Sequence, residues 1–152
     1  PVLLYDRQRR IVAAVHAGWR GTVNRILAKT LHRMQSAYGT RGTDVIACIG
    51  PGISLDSFEV GDEVYEAFRT ENFPMEYISV WKPETHKYHI DLWAANRLQL
   101  SDFGVPPRQI ENAGICTYRQ HEDFFSARRL GIKSGRILSG IMLNGQEKEE
   151  RK

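Results

Sequence analysis

The stretch Val12-Ala-Ala-Val-His-Ala-Gly-Trp-Arg-Gly21 gathers the residue types that do chemistry. A short apolar run of strand character ends on His16, and Gly18, Trp19, Arg20 and Gly21 follow at once. Histidine exchanges protons near neutral pH and ligates transition metals. Glycines let backbone approach a ligand closely. Arg20, with the N–H groups of a helix expected to open at Thr22, favours an anion at this corner. A second reading stays open, in which this is a plain strand–turn–helix corner and His16 is a hydrogen-bonded core residue.

Cys116-Thr-Tyr118 followed by Phe124-Phe-Ser-Ala-Arg-Arg129 is the second informative stretch. Aromatic rings there can stack on a planar base, and an arginine fork can hold phosphate or carboxylate. Core phenylalanines followed by surface arginines read equally well. Ile49-Gly-Pro-Gly-Ile53, then Phe58-Glu-Val-Gly61, is a glycine-rich loop leading to a helix, without the lysine of a P-loop. His86 and His89 lie three apart, which on a strand puts them on opposite faces. His32 falls on a helix and His121 in a polar loop. A catalytic zinc takes three protein ligands, and spacing alone yields no such trio. Cys48 and Cys116 are too few for a disulfide framework and read as buried free thiols.

These side chains need elements to carry them. Val2 to Tyr5 and Ile11 to His16 read as a hairpin across the polar turn Asp6–Arg10. Val23, Ile26, Leu27, Thr30, Leu31, Met34 and Tyr38 form one face of a helix from about Thr22 to Tyr38, stopped by Gly39. Asp44 to Ile49 is a buried strand, broken by Gly50-Pro-Gly52. Phe58 to Phe68 reads as a helix, Glu76 to Trp81 and Lys87 to Ile90 as strands, and Asp91 as the cap of a helix closed by Gly104. Gln109 to Cys116 and Arg136 to Leu143 read as further strands. Alternating strands and helices with hairpins among them favour a mixed α+β layered fold. Residues 1–145 are expected to form one domain, with 146–152 a charged, frayed tail.

Composition bounds the partners. A chain of 152 residues with 41% hydrophobic and 26% charged residues suits a single water-soluble domain. No apolar run approaches the roughly 18 residues that span a bilayer, and no signal peptide is visible, so no membrane partner and a cytoplasmic location are expected. The net charge of +3 is spread out. Its densest groups, Arg7/Arg9/Arg10 and Arg128/Arg129/Lys133/Arg136, are too scattered to predict a nucleic-acid partner. Pro1-Val-Leu-Leu4 opens inside a strand, so an upstream portion is expected to be missing.

In order along the chain stand Val15-His-Ala-Gly-Trp-Arg-Gly21, Ile49-Gly-Pro-Gly-Ile53 with Phe58-Glu-Val-Gly61, Asp91-Leu-Trp-Ala-Ala-Asn96, and Cys116-Thr-Tyr118 with Phe124-Phe-Ser126 and Arg128-Arg129. The combination resembles the YfiH or laccase-domain family from Pro1 to about Leu143. The resemblance implies a four-layer α/β/β/α sandwich with mixed sheets, here without its N-terminal part. It implies purine nucleoside phosphorylase activity with adenosine deaminase side activity, on a purine nucleoside and phosphate, in a monomer or homodimer. It further implies a zinc site of two histidines and one cysteine, with copper the alternative metal. His16 matches the second family histidine; the first lies upstream, and the cysteine usually just precedes the Pro-Val-Leu strand, so the remaining ligands are expected ahead of Pro1. His16 and Arg20 are the catalytic candidates, and Arg20, Gly21, Phe125 and Arg129 the substrate-binding ones. Ala127 departs from the tyrosine common in the family before the paired arginines, which removes a stacking or hydrogen-bonding contact. Two other functions compete: a copper-dependent polyphenol oxidase, which histidine and thiolate ligands would also suit, and a non-catalytic fragment or assembly module.

Overall fold

The computed structural model describes residues 1–145. The expected tail, 146–152, lies outside the described residues. The expected hairpin forms: β1 (Val2–Asp6) pairs antiparallel with β2 (Ile11–Val15), Val2 opposite Val15. β1 also pairs antiparallel with β3 (Val45–Ile49), and β3 pairs parallel with β7 (Ile110–Asn112), giving a mixed four-stranded sheet ordered β2-β1-β3-β7. A second sheet, ordered β4-β6-β5, joins β4 (Glu59–Val60), β5 (Ser79–Lys82) and β6 (Lys87–Ile90). With two sheets and their helices, the chain has the mixed α+β fold that its sequence predicts.

Each sheet has its own apolar core. Alternation along β1 buries Val2 and Leu4 against Leu27, Leu31 and Met34 of α2 (Ile26–Tyr38) and Leu100 of α5 (Leu92–Asp102). Phe68 of α3 (Asp62–Thr70), Phe73, Ile78 and Ile90 pack the second core, to which α5 gives Leu92 and Ala95. Thus α5 contributes to both. Its start is capped as expected, Asp91 Oδ1 accepting the Ala94 amide at 2.9 Å. Gly39 ends α2 in the left-handed region, at φ 71°.

Four expectations are corrected. The helix expected from Thr22 begins at Trp19 and breaks: α1 (Trp19–Val23) gives way at Arg25, at φ 57°, and α2 starts afresh. Arg25 stacks its guanidinium 3.9 Å from the Phe73 ring centroid and donates to Glu71 O, contacts that hold the break; Ile26 and Tyr38, expected on the buried face, are exposed. The helix expected from Phe58 starts only at Asp62, because Glu59 and Val60 pair with β6. The strand expected from Glu76 opens instead as one helical turn, α4 (Met75–Ile78), which buries Met75 and Ile78 in the second core. Residues 136–143 form no strand; the chain runs near Tyr5 and Val12, Arg10 donating to Asn144 O, with Leu138 and Met142 exposed.

The β1–β2 turn is closed by acid–base contacts. Asp6, fully buried, accepts the amides of Gln8 and Arg9, and Arg9 bridges onward to Asp44, which Arg41 also holds at 3.0 Å. Burial alone would raise the Asp6 carboxyl, but the Thr40 side chain, the Arg9 and Gln8 amides and the Arg9 charge outweigh it and hold the group below its ordinary value. Arg41 and Arg9 lower Asp44 likewise. A depressed carboxylate stabilises the fold fully above its unfolded pKa, near 4, and loses that contribution as pH falls through the folded value. The thermal midpoint should therefore drop as pH falls below about 4. In Asp44→Asn that drop should be shallower, as measured by melts at stepped pH.

Candidate functional site

A cleft of about 570 Å³ lies where the end of β2, the loop after β3, the start of α5 and the segments 125–128 and 135–139 meet. His16, at the tip of β2, is exposed and lines it. The neighbouring glycines make room for it. A Cβ on Gly18 would stand 3.1 Å from His16 Nε2, and one on Gly21 would stand 3.1 Å from the His16 carbonyl oxygen. Gly21 thus shapes the backbone behind the histidine. Pro1 lines the same cleft, and the register that sets Val2 against Val15 carries it toward His16.

The other expected residues divide. Phe125 lines the cleft and is 54% exposed, its ring seated over Gly135, where a Cβ would come within 2.7 Å. Arg20 is not among the lining residues; its guanidinium lies 4.4 Å from the Trp19 ring centroid. Arg129 is also outside the lining, 5.2 Å over Tyr118. The helix opening expected at Thr22 is corrected as well, since Thr22 sits within α1 and donates its amide to Gly18 O at 2.8 Å. That N–H is therefore not free for a ligand.

Sequence reasoning passed over Arg128, which lines the cleft; its guanidinium donates to Glu59 O at 2.7 Å and lies 5.3 Å over Phe58. Arg136 lines it too. So does Trp93, whose indole Nε1 would stand 3.2 Å from a Cβ on Gly52; the glycine leaves the indole room. Arg128 and Trp93 lie within motifs that the sequence displays, but which neighbour turns inward is set by packing. Ala127 lines the cleft where a tyrosine would narrow it. The arrangement combines cationic, aromatic and imidazole groups around one apolar hollow, which suits a planar ring carrying an anionic or polar partner.

The remaining histidines are dispersed. His86 sits in the turn ahead of β6, His32 lies edge-on to Phe103, and His121 is in a turn. His89 is buried, its Nδ1 3.0 Å from Leu55 O and its Nε2 3.7 Å from Glu59. Among the described residues no three His, Cys, Asp or Glu cluster as a metal site. Behind the cleft, Cys116 holds two loops together: the Ser54 hydroxyl donates to its Sγ at 3.1 Å, the Ser54 amide at 3.4 Å, and Ser57 Oγ is 3.5 Å away. Both cysteines are free, as expected, although Cys48 is only half-buried. No helix among the described residues is long and apolar enough to cross a membrane.

Residues 1–144 match a family described as multi-copper polyphenol oxidoreductase laccase. A purine nucleoside phosphorylase of Bacteroides thetaiotaomicron is 64% identical over 144 residues, covering 95% of this chain and 53% of that protein. Adenosine deaminase RL5, from an unknown prokaryotic organism, is 50% identical over 141 residues, covering 93% and 53%. The crystal structure of the hypothetical protein YfiH of Bacillus licheniformis matches with a TM-score of 0.77 at 32% identity, over 84% of this chain and 48% of that one. The chain spans about half the length of the curated relatives it matches.

Burial pushes the Cys116 thiol up, but the hydroxyls of Ser54 and Ser57 and backbone hydrogen bonds outweigh it and bring it to about 6 from the ordinary 9.0. Thiolate absorbance near 240 nm should rise with a midpoint of about 6, and Ser54→Ala should move that midpoint upward. Because the folded pKa is the lower one, this thiolate's contribution to stability is full above about 9 and is lost as pH falls through about 6.

Proposed function

The chain belongs to the family described as multi-copper polyphenol oxidoreductase laccase, and we propose that it forms the nucleoside-binding half of a purine nucleoside phosphorylase with adenosine deaminase side activity. The observation that carries the proposal is the cleft itself. His16, Trp93, Phe125 and Arg128 converge on one hollow, and two relatives that cover nearly all of this chain are named for those two activities.

In phosphorolysis a phosphate oxygen bonds to the anomeric carbon of ribose as the glycosidic bond breaks. The bonding electron pair leaves with the purine nitrogen, which takes a proton. Phe125 and Trp93 offer aromatic faces to the purine. Arg128 and Arg136 offer positive charge for phosphate. His16 is the cleft group able to move a proton at the departing nitrogen. In deamination a water oxygen replaces the exocyclic amino group of adenosine, which leaves as ammonia. Arg20, Gly21 and Arg129 stay candidates for substrate binding, although all three lie off the cleft lining.

Zinc, or copper as the alternative, is the metal that the family resemblance implies. The described residues do not hold it alone: a catalytic zinc takes three protein ligands, and the cleft offers the single imidazole of His16. The β1–β2 register supports an origin for further ligands, since a residue joined ahead of Pro1 would be delivered beside His16. A cytoplasmic setting, where two free thiols stay reduced, and a monomer or homodimer without nucleic acid complete the proposal.

In a polypeptide of the relatives' length, inosine or adenosine should release free base only when phosphate is present. His16→Ala should abolish turnover. Arg128→Ala should raise the phosphate requirement by about tenfold or more, the usual effect of losing a charged hydrogen-bond partner, and should exceed Arg20→Ala. The check is chromatography of the bases with and without phosphate. Phosphate-independent oxidation of phenols with no base released would replace this reading by the oxidase.

A further inference from the structure

Thr22, Asn96 and Gln99 are polar side chains at 0%, 3% and 1% exposure, where α5 meets α1 between the two cores. Thr22 Oγ1 donates its proton to Ala17 O at 3.1 Å. The hydroxyl oxygen can then only accept, and Asn96 Nδ2 donates to it at 3.1 Å. Asn96 Nδ2 also donates to Leu92 O at 2.8 Å. These two bonds fix the carboxamide's orientation. Turned over, its oxygen would face a carbonyl and a hydroxyl whose proton is already given. Gln99 braces the same turn, Nε2 donating to Thr22 O at 3.3 Å and Oε1 accepting the Ala28 amide at 3.2 Å.

The arrangement leaves Asn96 Oδ1 buried without a hydrogen-bond partner. A buried acceptor in that state is destabilising, and an aliphatic side chain of similar size would not carry it. What the asparagine provides is its N–H donation to Thr22. That chain of hydrogen bonds ends on the carbonyl of Ala17, the residue that follows His16. His16 itself is exposed, so backbone on either side sets where its ring stands: the β1–β2 ladder before it, the Ala17–Gly18 turn after it.

We infer that Asn96 and Thr22 are positioning residues: their hydrogen bond holds the Ala17–Gly18 turn and thereby sets His16 in the cleft. The inference rests on the reading of that cleft as a nucleoside site. Asn96 also lines the cleft, whereas Thr22 does not, so the Thr22 variants read the strut apart from any contact Asn96 itself makes with substrate. Loss of the strut should separate catalysis from stability, because the Asn96→Leu variant also removes the unpartnered oxygen.

The test compares Thr22→Val, Thr22→Ser, Asn96→Leu and the Thr22→Val/Asn96→Leu double variant. Exchange of the Thr22 amide, which is bonded to Gly18 O, should quicken by about tenfold in Thr22→Val and in Asn96→Leu, the scale expected for one net hydrogen bond. The double variant should exchange no faster than Thr22→Val alone, since that substitution already removes the bond shared with Asn96 as well as the one to Ala17 O. Thr22→Ser should restore protection. In a polypeptide of the relatives' length, kcat for nucleoside cleavage should fall by about tenfold while KM changes by less than about twofold, the pattern of a group misplaced in the transition state. The Asn96→Leu melting midpoint should be unchanged or raised. Exchange within about twofold of the parent, additive effects in the double variant, or a kcat loss that tracks the loss of melting midpoint would each overturn the inference. The exchange measurement needs no substrate, so a failure of the nucleoside reading shows separately as absent turnover in the unsubstituted protein.

Discussion

A strand that ends inside a protein must give every backbone polar group near its tip a partner, and here that requirement decides where His16 can stand. β2 stops at Val15. Two carbonyls of the turn that follows His16 are then taken up, Ala17 O by the Thr22 hydroxyl and Gly18 O by the Thr22 amide. One buried threonine thus satisfies two acceptors. Gly18 and Gly21 follow from the same constraint, because a Cβ at either would press on the histidine ring or its carbonyl. A histidine at a rigid strand end, with small residues around it, can face an open hollow without loosening the backbone that carries it.

Two apolar cores hold that turn from opposite sides. The first packs α2 on the four-stranded sheet, and the second gathers α3, α4 and the three-stranded sheet. The helix α5 supplies Leu100 to one and Leu92 and Ala95 to the other. Asn96 and Gln99 stand on the same helix and reach Thr22. Packing therefore fixes the distance between the His16 turn and Trp93. The rest of the cleft comes from less regular chain, with Phe125 over Gly135 and Arg128 tethered to Glu59 O.

Much of the scaffold was legible in the residues. Lys87–Ile90 forms a strand with the predicted bounds, Asp91 caps α5, Gly39 stops α2, and the β1–β2 hairpin pairs as its alternation implies. What was not legible depends on distant partners. The break at Arg25 is held by Phe73 and Glu71, far along the chain. Residues 136–143 have strand-like apolar content but no pairing partner among the described residues. At the site, His16 was legible because its motif is local. The choice between Arg128 and Arg129 was not, since they share the single helical turn Ala127–Leu130, where neighbours point about 100° apart and only packing decides which one turns inward. Arg20 was drawn off the cleft by the face of Trp19, an attraction between adjacent residues that competes with any ligand.

The proposed activity depends on the hollow beside His16 receiving a purine nucleoside. Amide and indole chemical shifts of this chain, followed as inosine and phosphate are added, test it most directly. Saturable shifts are expected at Gly18, Gly52, the Trp93 indole and the Phe125–Arg128 segment, all of which line the cleft. Shifts confined to the groove between Tyr5 and Met142, or no shift at any concentration of nucleoside, would contradict the proposal.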